Sequence, residues 1–208
     1  MKIVDKLKNT IVINKKMIIC LIVIVLVGII TGSLLVAVLN ESDKNLVTEY
    51  INTFFNNIKD NKLNYIDTLK NSLISNISLI IVIWLLGISI IGIPIITFLY
   101  FCKSFILGFS LSSIIMHYKI KGCLIAFLYI FPHQVINIIM LTILMTYALS
   151  LSFKLISSFF KKKTIDFKII MKKYLVILLF SLLISIISSL LEVFLMPKLI
   201  KMVIPLIK

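Results

Sequence analysis

Apolar runs of membrane-crossing length, punctuated by lysine, leave this chain little choice of fold. The first, residues 17–39, carries no charged side chain across 23 positions. A helix rises about 1.5 Å per residue, so roughly 20 apolar residues traverse a hydrocarbon core about 30 Å thick. In lipid every backbone N–H and C=O must be satisfied within the protein, which for such runs means helices. Further apolar runs occupy 73–101, 104–118, 122–153 and 174–196. Apolar residues make up 61% of the chain and the mean hydropathy is +1.15. The sequence therefore predicts an all-α, polytopic membrane helix bundle of about five transmembrane helices, some of them broken by Gly and Pro. Residues 1–208 are expected to form a single integral membrane domain, without a separate catalytic or nucleotide-binding domain. A signal peptide has an apolar region of about 7–15 residues, shorter than the run 17–39, which is read as a retained first span.

Charge sets the expected orientation. Lysine supplies every positive charge, with 22 lysines, no arginine and 8 acids for a net +14. The lysines concentrate in the arm 1–16 (Lys2, Lys6, Lys8, Lys15 and Lys16 against Asp5) and in 154–173, which holds seven against one aspartate. That pattern follows the positive-inside rule, not a nucleic-acid surface, so the lipid bilayer is the expected partner and no nucleic acid is. The arm 1–16 and the basic loop 154–173, with Lys161-Lys162-Lys163, are placed in the cytoplasm. An even number of crossings then separates them, which gives five spans and an external tail 197–208. Six crossings, with 122–153 split at Pro132, would require one piece to be a re-entrant loop. The outer segment 40–72 holds four lysines and five acids. Val47, Ile51, Phe54, Phe55 and Ile58 share one helical face there, predicting an amphipathic helix. It lies on the outer leaflet, docks a partner, or packs on its own bundle.

Without a hydrophobic drive in lipid, helices associate through small faces and polar contacts. Gly28 and Gly32 form a GxxxG in the first span. Ser104, Gly108 and Ser112 recur every four residues, as do Ser181, Ser185 and Ser189. These residues, with Gly87, Gly92 and Pro94, are candidates for helix packing or a partner interface. Ionisable groups in the spans are candidates as well, because their burial in lipid is costly. They are Glu192, near the outer end of the last span, and Lys103, between two runs.

Enzyme chemistry finds few footholds. His117 and His133 are the sole histidines, no HExxH or CxxC occurs, and no span carries an aspartate. No metal ion or other cofactor is implied. Pro132 precedes His133 and Gln134, whose side chains, with that of Asn137, are read as satisfying a helix broken at the proline. Serines are abundant but form no GxSxG elbow, and Ser158-x-x-Lys161 is a chance-level SxxK. No Gly-rich phosphate loop is present. Cys20, Cys102 and Cys123 lie in or beside apolar runs, as small hydrophobes rather than disulfide partners. The chain is expected not to be an enzyme, with no catalytic residues.

The stretch 84–155 resembles the stage II sporulation protein M family. The resemblance is carried by Trp84-Leu85-Leu86-Gly87-Ile88-Ser89-Ile90-Ile91-Gly92-Ile93-Pro94 and by Phe101, Lys103, Phe105, Gly108 and Phe109, similar to that family's Lys-x-Phe-x-x-Gly-Phe signature. Pro132 with the polar pair after it, the basic loop and a final span follow in the same order. The resemblance implies a multi-pass scaffold in the septal or engulfing cell membrane during sporulation. Stage II sporulation proteins D and P would be its partners in a peptidoglycan-remodelling engulfment complex, and the wall chemistry would be theirs. Spans broken at Gly92–Pro94 and Pro132 leave a membrane permease or transport subunit as the alternative.

Overall fold

The computed structural model describes residues 15–161 and 167–203. Lys2, Asp5, Lys6 and Lys8 of the expected cytoplasmic arm, Lys162 and Lys163 of the basic loop, and Lys208 of the tail lie outside the described residues. Seven helices are described: α1 (Lys15–Val38), α2 (Glu41–Lys59), α3 (Tyr65–Gly87), α4 (Gly92–Tyr129), α5 (Phe131–Lys161), α6 (Phe167–Leu190) and α7 (Met196–Val203). A π-helical turn, Leu191–Leu195, joins α6 to α7. No strand occurs among the described residues. Five helical stretches are long and apolar enough to cross a membrane, namely α1, α3, α4, α5 and the run Phe167–Met202.

The bundle has two packed regions. Leu21, Ile80, Ile83, Ile96, Tyr100, Leu144, Met145, Ala148 and Tyr174 fill the end that carries the α3–α4 turn. Phe55, Ile58, Leu107, Ile114, Ile125, Ile130 and Ile200 fill the opposite end, beneath α2. The amphipathic helix is therefore fastened to its own bundle. Phe55 lies edge-on to Tyr118 with centroids 5.7 Å apart, and Phe54 meets Tyr129 at 5.4 Å. Asn52 Oδ1 accepts from the Tyr118 hydroxyl at 3.1 Å and lies 2.9 Å from His117 Nε2.

The five expected spans survive as a number, but four of the five change their bounds. The run 73–101 is not one broken crossing: α3 ends at Gly87 and α4 begins at Gly92. Pro94 stands in the first turn of α4, where its missing N–H has no intrahelical acceptor to lose. It starts a helix instead of kinking one, and the short run 104–118 is the upper part of the same helix. The turn between is tight, since a Cβ on Gly92 would strike the Leu86 carbonyl. Ser152 Oγ clasps that turn, donating to the carbonyls of Gly87 and Ser89 at 2.9 and 3.1 Å.

The run 122–153 is divided as well. Lys119, at φ 53° and ψ −131°, reverses the chain within α4 into arms 92–118 and 120–129. Gly122 permits the return, because a Cβ there would lie 2.5 Å from the Ile114 carbonyl oxygen. Ile130, itself in helical geometry with its N–H on the Ala126 carbonyl, is the single residue between α4 and α5, and Pro132 again stands in a first turn. α5 reaches Lys161 and α6 starts at Phe167, so most of the expected loop 154–173 is helical. The last span does not stop at 196. Pro197 is buried within continuing helix, and the wider π turn before it accommodates the hydrogen bond that a proline cannot make. Ile200 is 1% exposed, and Lys201 Nζ donates to Asn61 Oδ1, which fixes part of the expected tail to the α2–α3 connection.

Candidate functional site

Small residues bring α1 and α4 into backbone contact. Gly28 faces Ser104, Gly32 faces the backbone of Phe105 and Phe109, and Gly108 faces the backbone of Ile29. Ser33 Oγ donates to the Gly108 carbonyl at 3.2 Å and Ser112 Oγ returns to the Ser33 carbonyl at 3.4 Å. The GxxxG and the first serine–glycine ladder are thus halves of one seam. Gly87 belongs to a second close approach, against Ala148 and the Tyr174 hydroxyl. That hydroxyl donates to the Trp84 carbonyl at 2.9 Å. Ser181, Ser185 and Ser189 are all completely buried along α6.

Midway along the bundle, polar side chains from α3, α4, α5 and the end of α6 converge. Lys103 Nζ donates to Asn76 Oδ1 (3.4 Å), and Asn76 Nδ2 donates to Ser189 Oγ (3.2 Å). Ser189 and Ser72 hydroxyls are 3.1 Å apart, and Ser72 Oγ donates to Glu192 Oε2 at 2.6 Å. The other carboxylate oxygen stands 3.9 Å from His133 Nε2. With Ser72 giving its one proton to Glu192, Ser189 donates to Ser72, and each link from Lys103 to the carboxylate has a donor and an acceptor. His133 is 2% exposed, and its carbonyl accepts from Ser188 Oγ at 3.0 Å. The network unites Lys103, His133, Ser189 and Glu192, which sequence reading considered separately.

Ser72 and Asn76 were not singled out, although a polar pair four residues apart in an apolar run lies on one helical face. Their partners come from other helices, Lys103 from α4, Ser189 from α6 and Glu192 from the π turn, and no local pattern names them. Glu192 is not simply at a wet helix end: its side chain is 26% exposed and sits in the π turn. Such turns recur at functional positions.

A chamber of about 540 Å³ adjoins this network. Lys103, Tyr129, His133, Gln134 and Glu192 bring polar groups to it, while Ile51, Phe54 and Phe55 of α2 form its roof and Ile106 and Phe109 of α4 flank it. Ile106 is 59% exposed, so that wall opens sideways from the bundle. Gln134 Oε1 and both side-chain polar atoms of Asn137 are buried without a protein hydrogen-bond partner. Among the described residues no three His, Cys, Asp or Glu side chains are grouped as metal ligands. Cys20, Cys102 and Cys123 are free thiols.

A family model described as stage II sporulation protein M matches residues 21–197. No curated protein matches the chain, and no solved structure does.

Proposed function

Since the chain belongs to the stage II sporulation protein M family, we propose that this sporulation membrane protein is a non-enzymatic scaffold of the engulfment machinery. It gathers stage II sporulation proteins D and P at the septal membrane, and those partners carry the peptidoglycan chemistry. The basic segments face the cytoplasm and α2 faces the outside, where the wall is.

The observation that carries this reading is the way α2 is displayed. Its Phe55 and Ile58 are sunk into the bundle, at 7% and 0% exposure. Leu46 and Tyr50, one turn apart, stand 56% and 78% exposed, Tyr50 also edging the chamber beneath α2. Glu49 and Thr53 extend the same exposed stripe. An aromatic and an aliphatic anchor on a helix that is already immobilised bind a partner with little ordering entropy lost. The small faces Gly28–Gly32 and Ser104–Gly108–Ser112 are engaged within the chain and make the platform rigid.

A permease has one observation in its favour, the charged chamber between bent helices. The dense packing of Ile80, Ile83, Ile96, Leu144, Met145 and Ala148 in the other half of the bundle supports the scaffold. The test is capture of proteins D and P from sporulating membranes by wild type and by Leu46→Ser with Tyr50→Ser, at matched abundance. Retention by wild type and loss from the double variant is expected. Failure of wild type to retain either partner would contradict the proposal.

A further inference from the structure

We propose that the chamber beneath α2 binds the head group of a zwitterionic lipid, a phosphate bearing a primary ammonium, whose chains leave past Ile106 into the outer leaflet. The chamber shares Tyr50 at its edge with the exposed α2 stripe on which the scaffold reading depends, but its charged groups, Lys103 and Glu192, come from α4 and the π turn, so head-group binding and partner capture can fail separately. Four observations favour this occupant.

The first is volume. A helix is about 10–12 Å wide, so about 540 Å³ would hold roughly one of its turns, too little to seat a partner's span. The same volume falls within the range of about 300–1,000 Å³ typical of small-ligand pockets. The second is access. Ile106 is 59% exposed, and with Phe109 and Ser110 it forms one side of the chamber. An amphiphile can therefore enter laterally without crossing the packed interior.

The third is charge. The lining contains one lysine, Lys103, one carboxylate, Glu192, and His133. Lys103 lies eleven residues above Gly92, roughly 16 Å along α4 and deep within a hydrocarbon core. At such depth an ionised ligand must find fixed counter-charges to replace water. An anionic head would gain from Lys103 but be opposed by Glu192. A head with both signs gains from both.

The fourth is the donor and acceptor inventory. One protein acceptor, Asn76 Oδ1, is recorded for Lys103 Nζ, which has three protons to give. A phosphate oxygen is the matching acceptor. Gln134 Oε1 is a buried acceptor without a protein donor, and with the Glu192 carboxylate it matches an ammonium's three N–H groups. Tyr129 lines the same chamber, and an aromatic ring attracts such a cation. No bond forms or breaks; the site recognises and holds.

The experiment uses the purified full-length protein in a neutral detergent. Native mass spectrometry and thermal melting are followed against short-chain phosphatidylethanolamine, phosphatidylglycerol and diacylglycerol. Wild type should bind the ethanolamine lipid at about tenfold lower concentration than either of the others. Glu192→Gln should shift preference towards the glycerol phospholipid, Lys103→Met should abolish head-group discrimination, and Ile106→Trp, at the mouth and outside the polar network, should weaken all uptake. Equal binding of the three lipids by wild type, or a preference for phosphatidylglycerol, overturns the proposal. That comparison needs no variant to fold.

Discussion

Replacing Gly108 by alanine tests the α1–α4 seam, and pairing Gly28→Ala with Ser104→Gly tests how its halves fit. A Cβ on Gly108 would strike the Ile29 carbonyl oxygen and lie 2.7 Å from Ile29 Cα and 2.8 Å from Ile29 C, whereas ordinary contact begins at 3.4 Å. All three obstacles are backbone, so the helices must part by at least about 0.7 Å, enough to forfeit a quarter to half of each contact's dispersion energy. Overpacking of this kind costs about 1–3 kcal/mol. Parting also stretches the Ser33 and Ser112 bonds across the seam, now 3.2 and 3.4 Å, together worth about 1 kcal/mol in a membrane protein. Alanine returns about 1 kcal/mol of helix propensity, leaving a net loss of about 1–3 kcal/mol. At Gly28 the nearest obstacle is a side-chain atom, Ser104 Cβ at 2.7 Å, with backbone no closer than 3.1 Å. Ser104→Gly removes that atom, so it should recover about 1 kcal/mol of the Gly28→Ala penalty, as neighbouring sites couple. No side-chain change at Ile29 should rescue Gly108→Ala. Unfolding in mixed micelles titrated with SDS measures all four variants. A Gly108→Ala protein as stable as wild type, or a Gly28→Ala penalty untouched by Ser104→Gly, would refute the seam.

Other outcomes follow from the same physics. In a background lacking Cys20, Cys102 and Cys123, Asn57→Cys should react with an impermeant thiol reagent on intact cells and Thr164→Cys should not; external labelling of Thr164→Cys would reverse the topology. His133→Asn or His133→Gln should keep substantial function, while His133→Leu should lower abundance by facing Glu192 with a hydrocarbon; loss of function at normal abundance in the first two would point to imidazole chemistry. Asn76→Leu breaks the link between Lys103 and Ser189 and should destabilise by about 1–2 kcal/mol, whereas Glu192→Gln still accepts from Ser72 and should cost less than about 1 kcal/mol. The reverse order in micelle unfolding would mean that the charge of Glu192, not the hydrogen-bond chain, holds α3 to α6.

What could be read from the sequence was what depends on local pattern. The first span is a charge-free run, and α1 matches it to within two residues at each end. The face from Val47 to Ile58 repeats at helical spacing, and α2 is that helix. Proline misled wherever its effect depends on position within a helix. Pro94 and Pro132 each occupy a first turn and begin crossings, and Pro197 is carried inside a helix by the π turn before it. Lys119 gave no warning at all, since a lysine in the left-handed region is permitted by the glycine three residues later and by the fold around it. The two small-residue ladders were visible, but that Gly28–Gly32 meets Ser104–Gly108 is a three-dimensional fact. The polar network was half visible: Lys103, His133 and Glu192 stand out in apolar surroundings, while Ser72 and Asn76 gain meaning from their partners on α4, α6 and the π turn.

The scaffold claim is tested most directly by imaging stage II sporulation proteins D and P in sporulating cells that lack this chain, and in cells carrying Leu46→Ser with Tyr50→Ser at normal membrane abundance. Both partners should lose the septum in the first strain, the double variant should reproduce the loss, and septal wall thinning should stop in each. Partners correctly placed and engulfment completed without the chain would contradict the scaffold claim.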